Sequence, residues 1–155
     1  MAYELETILK VRHFRERKAQ EGVYRAVVHL KETEEEEKKA DKKLEDYKVW
    51  RVAEEDRLFK RIIKQKVKRE KITELKQDVA ELREKEDALK KALEKAKEEV
   101  ENAKEKLKEA KAIHMRTIID LEKISQHKES WLQDWKKEQE ALADKEMEEH
   151  YKKSE

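Results

Sequence analysis

The chain has 155 residues, 51% of them charged, and its 40 Lys and Arg nearly balance its 39 Asp and Glu, which argues against a general polyanion binder. It has one glycine, no proline and no cysteine, which excludes disulfides and a glycine-rich phosphate loop, and no apolar run is long enough to span a membrane. The remaining composition, rich in Glu, Lys, Ala, Leu and Arg, is typical of long helices and predicts an all-α protein.

The first half of the chain carries a heptad pattern of apolar residues from Leu5 to Tyr47, which predicts a helix with one buried seam. Beyond Tyr47 the pattern changes phase, and Leu58 rejoins it after about one extra helical turn. Near the N-terminus, apolar residues off this seam have basic neighbours. Ordinary broadening of the seam is one interpretation; the other is that the off-seam residues pack against a third element, a second copy of the chain or another protein. The partner-binding surface would then comprise Ile8, Val11, Arg12, Phe14, Arg15, Arg17 and Lys18.

A second basic stripe lies in the middle of the chain, where seven of the twelve residues from Lys60 to Lys71 are Lys or Arg. A solvated helix face is one interpretation of this stripe, since lysine stems often lie along apolar surface. A surface for an acidic partner is the other interpretation, and it would include Lys64, Lys68 and Arg69. Nucleic acid is not expected as a partner, because no aromatic residue that could stack on bases follows Phe59 in the stripe.

The second half repeats the heptad from Leu75 to Leu142. Two heptad arms with a phase break between them predict two long helices that form an antiparallel coiled-coil hairpin, as a single domain over residues 1–155. We expect arm one at about 3–70, the reversal at about 68–82 and arm two at about 80–150. Thr73 and Asp78 are the candidate N-caps of the second helix.

A reversal near residue 77 makes the numbers of paired residues add to about 154, and large side chains then face small ones along most of the hairpin. In this register Leu58 faces Ala96, and Tyr47 faces Leu107. Trp50 falls beside Ala103. These three large side chains, Tyr47, Trp50 and Leu58, therefore have predicted structural roles.

The same register places Trp131 and Trp135 against Gly22 and its neighbours Ala19 and Val23. Gly22 would then make room for an indole ring. The alternative is a glycine that the helix interior tolerates at a cost of about 1 kcal/mol.

The five histidines do not predict a metal site, because no two of them lie four residues apart and no HExxH motif is present. His114 lies on the seam, where a partly buried polar group would help to fix the register. His127 lies one helical turn before Trp131, so we expect it to stack on that ring. Carboxylates do catalytic work only in a cleft that shifts their pKa, and a two-helix hairpin has none. We therefore expect no enzyme activity, no catalytic residue and no cofactor.

The segment from Tyr47 to Phe59 has the pattern aromatic-x-x-Trp-Arg-x-x-Glu-Glu-x-Arg-Leu-Phe. It resembles a stretch found late in the first helix of the YscO branch of the YscO/FliJ family, most of all in its chlamydial members. The opening Leu9 to Arg12, followed by further basic residues and Ala19, is also similar to the start of these proteins. The second half of the chain matches by its pattern alone.

This resemblance implies a cytoplasmic component of a type III secretion apparatus, peripheral to the membrane. Members of the family form the central stalk of the export ATPase, like the coiled coil of a rotary ATPase γ subunit, and escort export chaperones. The implied partners are the secretion ATPase hexamer, the export gate protein and export chaperones. The end that carries both chain termini would enter the hexamer, and the other end would face the gate.

Two other functions are compatible with the residues themselves. One is a homo-oligomeric coiled-coil spacer, which a mass measurement distinguishes from the monomeric hairpin that we expect. The other is a helical rod that associates with nucleic acid through Lys60 to Lys71, which would bind in a salt-sensitive way.

Overall fold

The chain forms two long helices in the computed structural model, which describes residues 2–64 and 68–154. Helix α1 spans Glu6–Ile63 and helix α2 spans Arg69–Lys153. The described residues contain no strand, and the two helices pack against each other in opposite directions. The predicted all-α antiparallel hairpin is confirmed.

The charges at the helix ends agree with the helix dipoles. Glu6 and Glu70 lie in the first turns, where a negative charge is favourable, and basic residues lie in both last turns. At the start of α1, the backbone N–H of Glu6 donates to the carbonyl of Tyr3 at 3.1 Å. The ends are therefore stabilised by the local sequence, while packing along the seam supplies most of the stability of such long helices.

The buried residues follow the predicted seams. Leu9 and Leu44 are buried on α1, and Leu93, Val100 and Ala103 are buried on α2. Between Tyr47 and Leu58, where the heptad changes phase, the inward positions of α1 are charged, and they are partly buried. The phase change in the sequence therefore marks a polar part of the seam.

The predicted position of the reversal is wrong. Helix α1 ends at Ile63 and α2 already begins at Arg69, so residues 69–82 are helical. Thr73 and Asp78 lie inside α2, and the Thr73 hydroxyl donates back to the Arg69 carbonyl at 3.2 Å instead of capping the helix. No glycine or proline interrupts this stretch, so nothing in it stops a helix. Lys66 of the basic stripe lies outside the described residues.

The predicted register is wrong for the same reason. Paired residue numbers add to 130 for Glu16 and His114 and to 137 for Arg51 and Glu86, not to about 154. Two facing residues lie at equal distances along the chain from the reversal, so their numbers add to twice the number of the residue at the reversal. Moving the reversal by one residue therefore changes this sum by two. The seam residues were correctly predicted as far as Trp135, while Leu142 is exposed, and the partners across the seam were not predicted correctly.

The chain divides into two compact units, each built from a segment of α1 and a segment of α2. The terminal unit comprises Met1–Tyr24 and Glu109–Glu155, and the central unit comprises Arg25–Lys108. In an antiparallel helix pair, each residue touches the residues opposite it and few others. Contacts therefore group locally, although the sequence led us to expect a single domain.

Candidate partner-binding surfaces

Tyr3 anchors the start of the chain to α2 in the terminal unit. Its side chain is buried, its hydroxyl forms a hydrogen bond with Nδ1 of His127, and its ring meets that of Trp131 edge-on at 5.2 Å. Nearby, the Lys128 ammonium donates to the Glu6 carboxylate at 2.9 Å. The ring that His127 meets is that of Tyr3, and not that of Trp131 as its spacing had predicted. Tyr3 itself, an aromatic residue two positions before the first heptad position, was not predicted to have a role.

The three off-seam apolar residues near the N-terminus are exposed, as the partner-binding hypothesis requires. Ile8 and Val11 are each 41% exposed, and Phe14 is 52% exposed. The Lys18 ammonium lies over the Phe14 ring, 5.0 Å from its centre, in a cation–π contact. The terminal unit therefore presents apolar side chains together with positive charge.

The four basic residues predicted beside these apolar groups do not share one environment. Arg12 is partly buried, and its Nη1 donates to the backbone carbonyl of Asp120 at 2.9 Å, so it holds the two helices together. Arg15, Arg17 and Lys18 are exposed. These three are therefore the positive charges that a partner could reach.

The predicted packing of the two tryptophans around Gly22 is wrong. Trp131 meets Tyr3, and Trp135 is half-buried one turn further along α2, away from Gly22. Around Gly22 there is instead a groove of about 430 Å³. A Cβ atom added to Gly22 would meet nothing within 4 Å. The residues lining the groove are Arg15, Lys18, Ala19, Gly22, Ala110, Ile113 and Thr117.

The register explains this groove. With paired numbers adding to about 130, Ala19 and Gly22 of α1 lie near Ala110 of α2, so small residues meet small residues. His114, on the same part of the seam, contacts the Glu16 carboxylate through Nε2 at 3.0 Å. It is the partly buried polar contact across the seam that the sequence predicted.

The last part of α2 is exposed throughout residues 136–154. Leu142, Met147 and Tyr151 are apolar or aromatic residues on this segment, and each is more than half exposed. Between Glu138 and Glu149, six acidic residues accompany one basic residue, Lys145. This part of the terminal unit is therefore an acidic surface, unlike the start of α1.

The central unit holds a polar cluster at the phase change of α1. Nη1 of Arg51 donates to Glu55 at 2.9 Å, and Nε of Arg51 lies 2.7 Å from Oε2 of the buried Glu86. The Nε–H bond does not point at this oxygen, so the contact is an ion pair without an aligned hydrogen bond. Arg83 approaches Glu55 from α2 at 3.4 Å. The cluster crosses the seam and ties the two helices together.

Tyr47 borders this cluster. Its hydroxyl donates to the carbonyl of Leu82 at 2.8 Å, and burial raises the pKa of its phenol. The ring of Trp50, which is half exposed, lies 5.6 Å from that of Tyr47. Tyr47 therefore faces Leu82 and not Leu107. The predicted position of Trp50 beside Ala103 depended on the same register and is wrong as well.

Two charged residues of the resemblance segment, Glu54 and Arg57, form an ion pair on the surface. The hydrogen bonds that Arg57 donates lower the pKa of the Glu54 carboxyl and raise the pKa of the Arg57 guanidinium. The hydrogen bond to Glu55 likewise raises the pKa of Arg51. The segment that resembles the family is thus the segment in which charged side chains interact most closely.

Leu58 and the basic stripe lie near the junction of the two helices. Leu58 lines a surface depression together with Leu75 and Asp78. The prediction that Leu58 faces Ala96 is therefore wrong. Lys64, Lys68 and Arg69 are exposed around the junction. Their exposure is compatible both with a solvated face and with an acidic partner.

Two further observations concern the described residues alone. Among them, no group of three or more histidines and acidic residues is arranged so that it could hold a metal ion. In the same part of the chain, neither helix contains an apolar stretch long enough to cross a membrane.

Comparisons with known proteins agree with the resemblance seen in the sequence. The family model described as type III secretion protein YscO matches residues 5–153. The crystal structure of type III secretion protein YscO from Vibrio parahaemolyticus is similar, with a TM-score of 0.89 and 28% sequence identity. The alignment covers 94% of this chain and 91% of that chain. A comparison with curated proteins found no match.

The family match extends over almost the whole chain, and the Vibrio structure shares the two-helix fold over nearly its full length. Both features were anticipated from the segment Tyr47 to Phe59 and from the two heptad arms. The family is one of type III secretion proteins and is not a known enzyme family, and this chain has a role in the secretion apparatus, among protein partners. The chain belongs to the YscO family of type III secretion proteins.

Proposed function

We propose that the chain is a non-enzymatic stalk of the export apparatus, which couples the export ATPase to the export gate and to export chaperones through protein–protein contacts. It acts as a monomer in the cytoplasm, peripheral to the membrane-embedded part of the apparatus. The observation that carries this proposal is the surface at the start of α1, where Ile8, Val11 and Phe14 are exposed beside solvent-exposed basic side chains.

This surface suits docking into a protein ring. Apolar side chains supply the burial on which affinity depends, and charge steers the encounter. Of the predicted residues, Arg15, Arg17 and Lys18 carry the steering charge, because Arg12 is bound to the Asp120 carbonyl. We assign the ATPase hexamer to this surface.

The second surface, Lys64, Lys68 and Arg69, lies in the central unit and is assigned to the gate protein or to chaperones. The two surfaces use different residues in different units, so each can be reversed in charge without touching the other.

The test reverses Arg15, Arg17 and Lys18 to Glu and measures binding to the cognate export ATPase and stimulation of its activity. Both should be lost while the circular dichroism spectrum stays helical. The matched control reverses Lys136, Lys137 and Lys145, which are exposed in the same unit and change the charge by the same amount. Equal loss in the control, or no loss in the first variant, would count against this surface.

Reversal of Lys64, Lys68 and Arg69 to Glu should leave ATPase binding intact and weaken binding to the gate or to chaperones. Loss of ATPase stimulation in this variant alone would mean that the two assignments must be exchanged. Sedimentation of the wild-type chain should give the mass of one copy; a dimer mass would favour the coiled-coil spacer instead.

A further inference from the structure

Gly22 is the only glycine of the chain, and it stands in the interior of a helix of 58 residues. Its backbone has no positive φ, so the conformation does not require glycine. A Cβ atom would meet nothing within 4 Å, so close packing does not require it either. Glycine is less favourable than alanine in a helix interior. Neither the backbone nor close packing therefore explains the glycine, which borders the groove between the helices.

The groove joins an apolar floor to a basic edge. Ala19, Gly22 and Ala110 form the floor, and Ile113, which is 55% exposed, forms part of the opposite wall. Arg15 and Lys18 line the α1 side, while the lining contains no acidic residue. Neither Arg15 nor Lys18 forms an ion pair with any residue in the described part of the chain.

We propose that this groove binds an amphipathic helix of another protein, which inserts one large apolar side chain over Gly22 and places acidic side chains against Arg15 and Lys18. Apolar contact along a groove supplies affinity in this mode of recognition, and the charged hydrogen bonds at its edge fix the orientation. The partner helix lies across Ala19, Gly22, Ala110 and Ile113 as a third helix. The proposal does not depend on which component of the secretion apparatus supplies it.

The charge of the edge selects the occupant. A helix with basic residues beside its apolar stripe would place like charges next to Arg15 and Lys18, which is unfavourable. A helix with Glu or Asp at those positions gains two charge-assisted contacts. The groove therefore discriminates between helices of equal hydrophobicity by the sign of the residues that flank the apolar stripe.

The first experiment titrates three designed helical peptides into the isotope-labelled full-length chain and follows its backbone amide signals by NMR. The acidic peptide has Leu at i, i+3, i+4 and i+7 with Glu beside them; the second replaces Glu by Lys, and the third replaces Leu by Ala. The acidic peptide should shift Ala19, Gly22, Ala110 and Ile113 and bind about tenfold or more tightly than either control. Equal binding of the acidic and basic peptides, or shifts at other residues, would overturn the proposal.

The second experiment fills the groove with Gly22→Leu. This variant should fold with an unchanged or higher melting temperature and bind the acidic peptide about tenfold or more weakly, because the position of one large apolar side chain is taken. Gln20→Leu adds the same side chain at an exposed neighbouring position and should bind normally. A lower melting temperature for Gly22→Leu, or unchanged binding, would show that the groove is not the binding site.

The experiments also distinguish this proposal from self-association of the chain and from the proposed stalk function. If the wild-type chain self-associates and Gly22→Leu abolishes that association, the occupant is a second copy, and the proposal of another protein's helix is wrong. The peptide experiments contain no export ATPase, so their failure would leave the proposed stalk function standing, and failure of the ATPase experiment would leave the groove standing.

Discussion

The terminal and central units join the same two helices in different ways. In the central unit, Arg51, Glu55 and Glu86 cross the seam as a charged cluster, and Tyr47 adds a hydrogen bond to the backbone of α2. In the terminal unit, an aromatic contact at Tyr3 closes one part of the seam, whereas the part around Gly22 stays open.

The difference shows how one heptad pattern can serve two purposes. Polar groups that must find partners in a narrow seam permit few alternative registers, because a shifted register would leave a buried charge unpaired. Small apolar residues impose no such requirement, and they leave space that a partner can use. The cluster and Tyr3 make specific contacts that favour one register, whereas the groove and the exposed start of α1 leave surface for a partner.

The largest expected effect comes from removing the anchor of the terminal unit. Tyr3→Ala should lower the free energy of unfolding by about 3 kcal/mol, because it removes a buried aromatic side chain. Tyr3→Phe keeps the ring and loses only the hydrogen bond to His127, which should cost about 1 kcal/mol. Urea unfolding of the two variants measures both values; equal losses would mean that the hydrogen bond and not the ring provides the anchor.

A smaller effect is expected at the charged cluster of the central unit. Glu86→Ala should lower the free energy of unfolding by about 2 kcal/mol, because Arg51 loses its partner across the seam and keeps only Glu55. Replacing both partners, with Arg51→Met and Glu86→Leu, should recover much of the loss. If the single variant is as stable as wild type in urea, the cluster does not hold the helices together.

At Gly22 the expected effect is opposite in sign. Gly22→Ala should raise the free energy of unfolding by about 1 kcal/mol, because alanine favours the helix and the groove has room for its methyl group. Thermal unfolding with Ala19→Gly as the reciprocal control checks this, since the control should lose stability. A destabilised Gly22→Ala would mean that the helices approach more closely at this point than the open groove allows.

The smallest effect concerns the surface pair of Glu54 and Arg57. The pKa of Glu54 is lowered in the folded chain, so its contribution to stability is present above the unfolded pKa and is lost as pH falls through the folded pKa. Melting temperatures of wild type and Arg57→Gln should differ slightly at neutral pH and converge in acid. Because Arg57 is mostly solvent-exposed, the neutral-pH difference should be smaller than that of Glu86→Ala.

Much of the fold could be predicted without coordinates. The heptads from Leu5 to Tyr47 and from Leu75 to Leu142 identify the inward face of each helix, and burial in the structure follows them as far as Trp135, beyond which α2 is exposed. Helical periodicity is a local property of the chain, so it can be read from one segment at a time. The family could also be identified, because the segment from Tyr47 to Phe59 combines rare aromatic residues with charges at fixed spacing.

The candidate site was predicted only in part. Ile8, Val11 and Phe14 could be found because they are apolar residues outside the heptad seam, and they are exposed in the structure. The internal role of Arg12 could not be found, because it depends on a backbone carbonyl of the other helix. The groove at Gly22 was missed because an indole was expected to fill it.

The sequence by itself determined that the chain is helical, which face of each helix is buried and that two arms fold back on each other. These properties depend on composition and on the spacing of residues within one helix. Only the tertiary structure decided where the chain reverses and which residues face each other. No glycine or proline marks the reversal, and matching large side chains to small ones is satisfied by more than one register. The start of α2 at Arg69 therefore fixed which residues of the two helices face each other. It placed Tyr3 against Trp131, Arg51 against Glu86, and Gly22 at the open groove near Ala110.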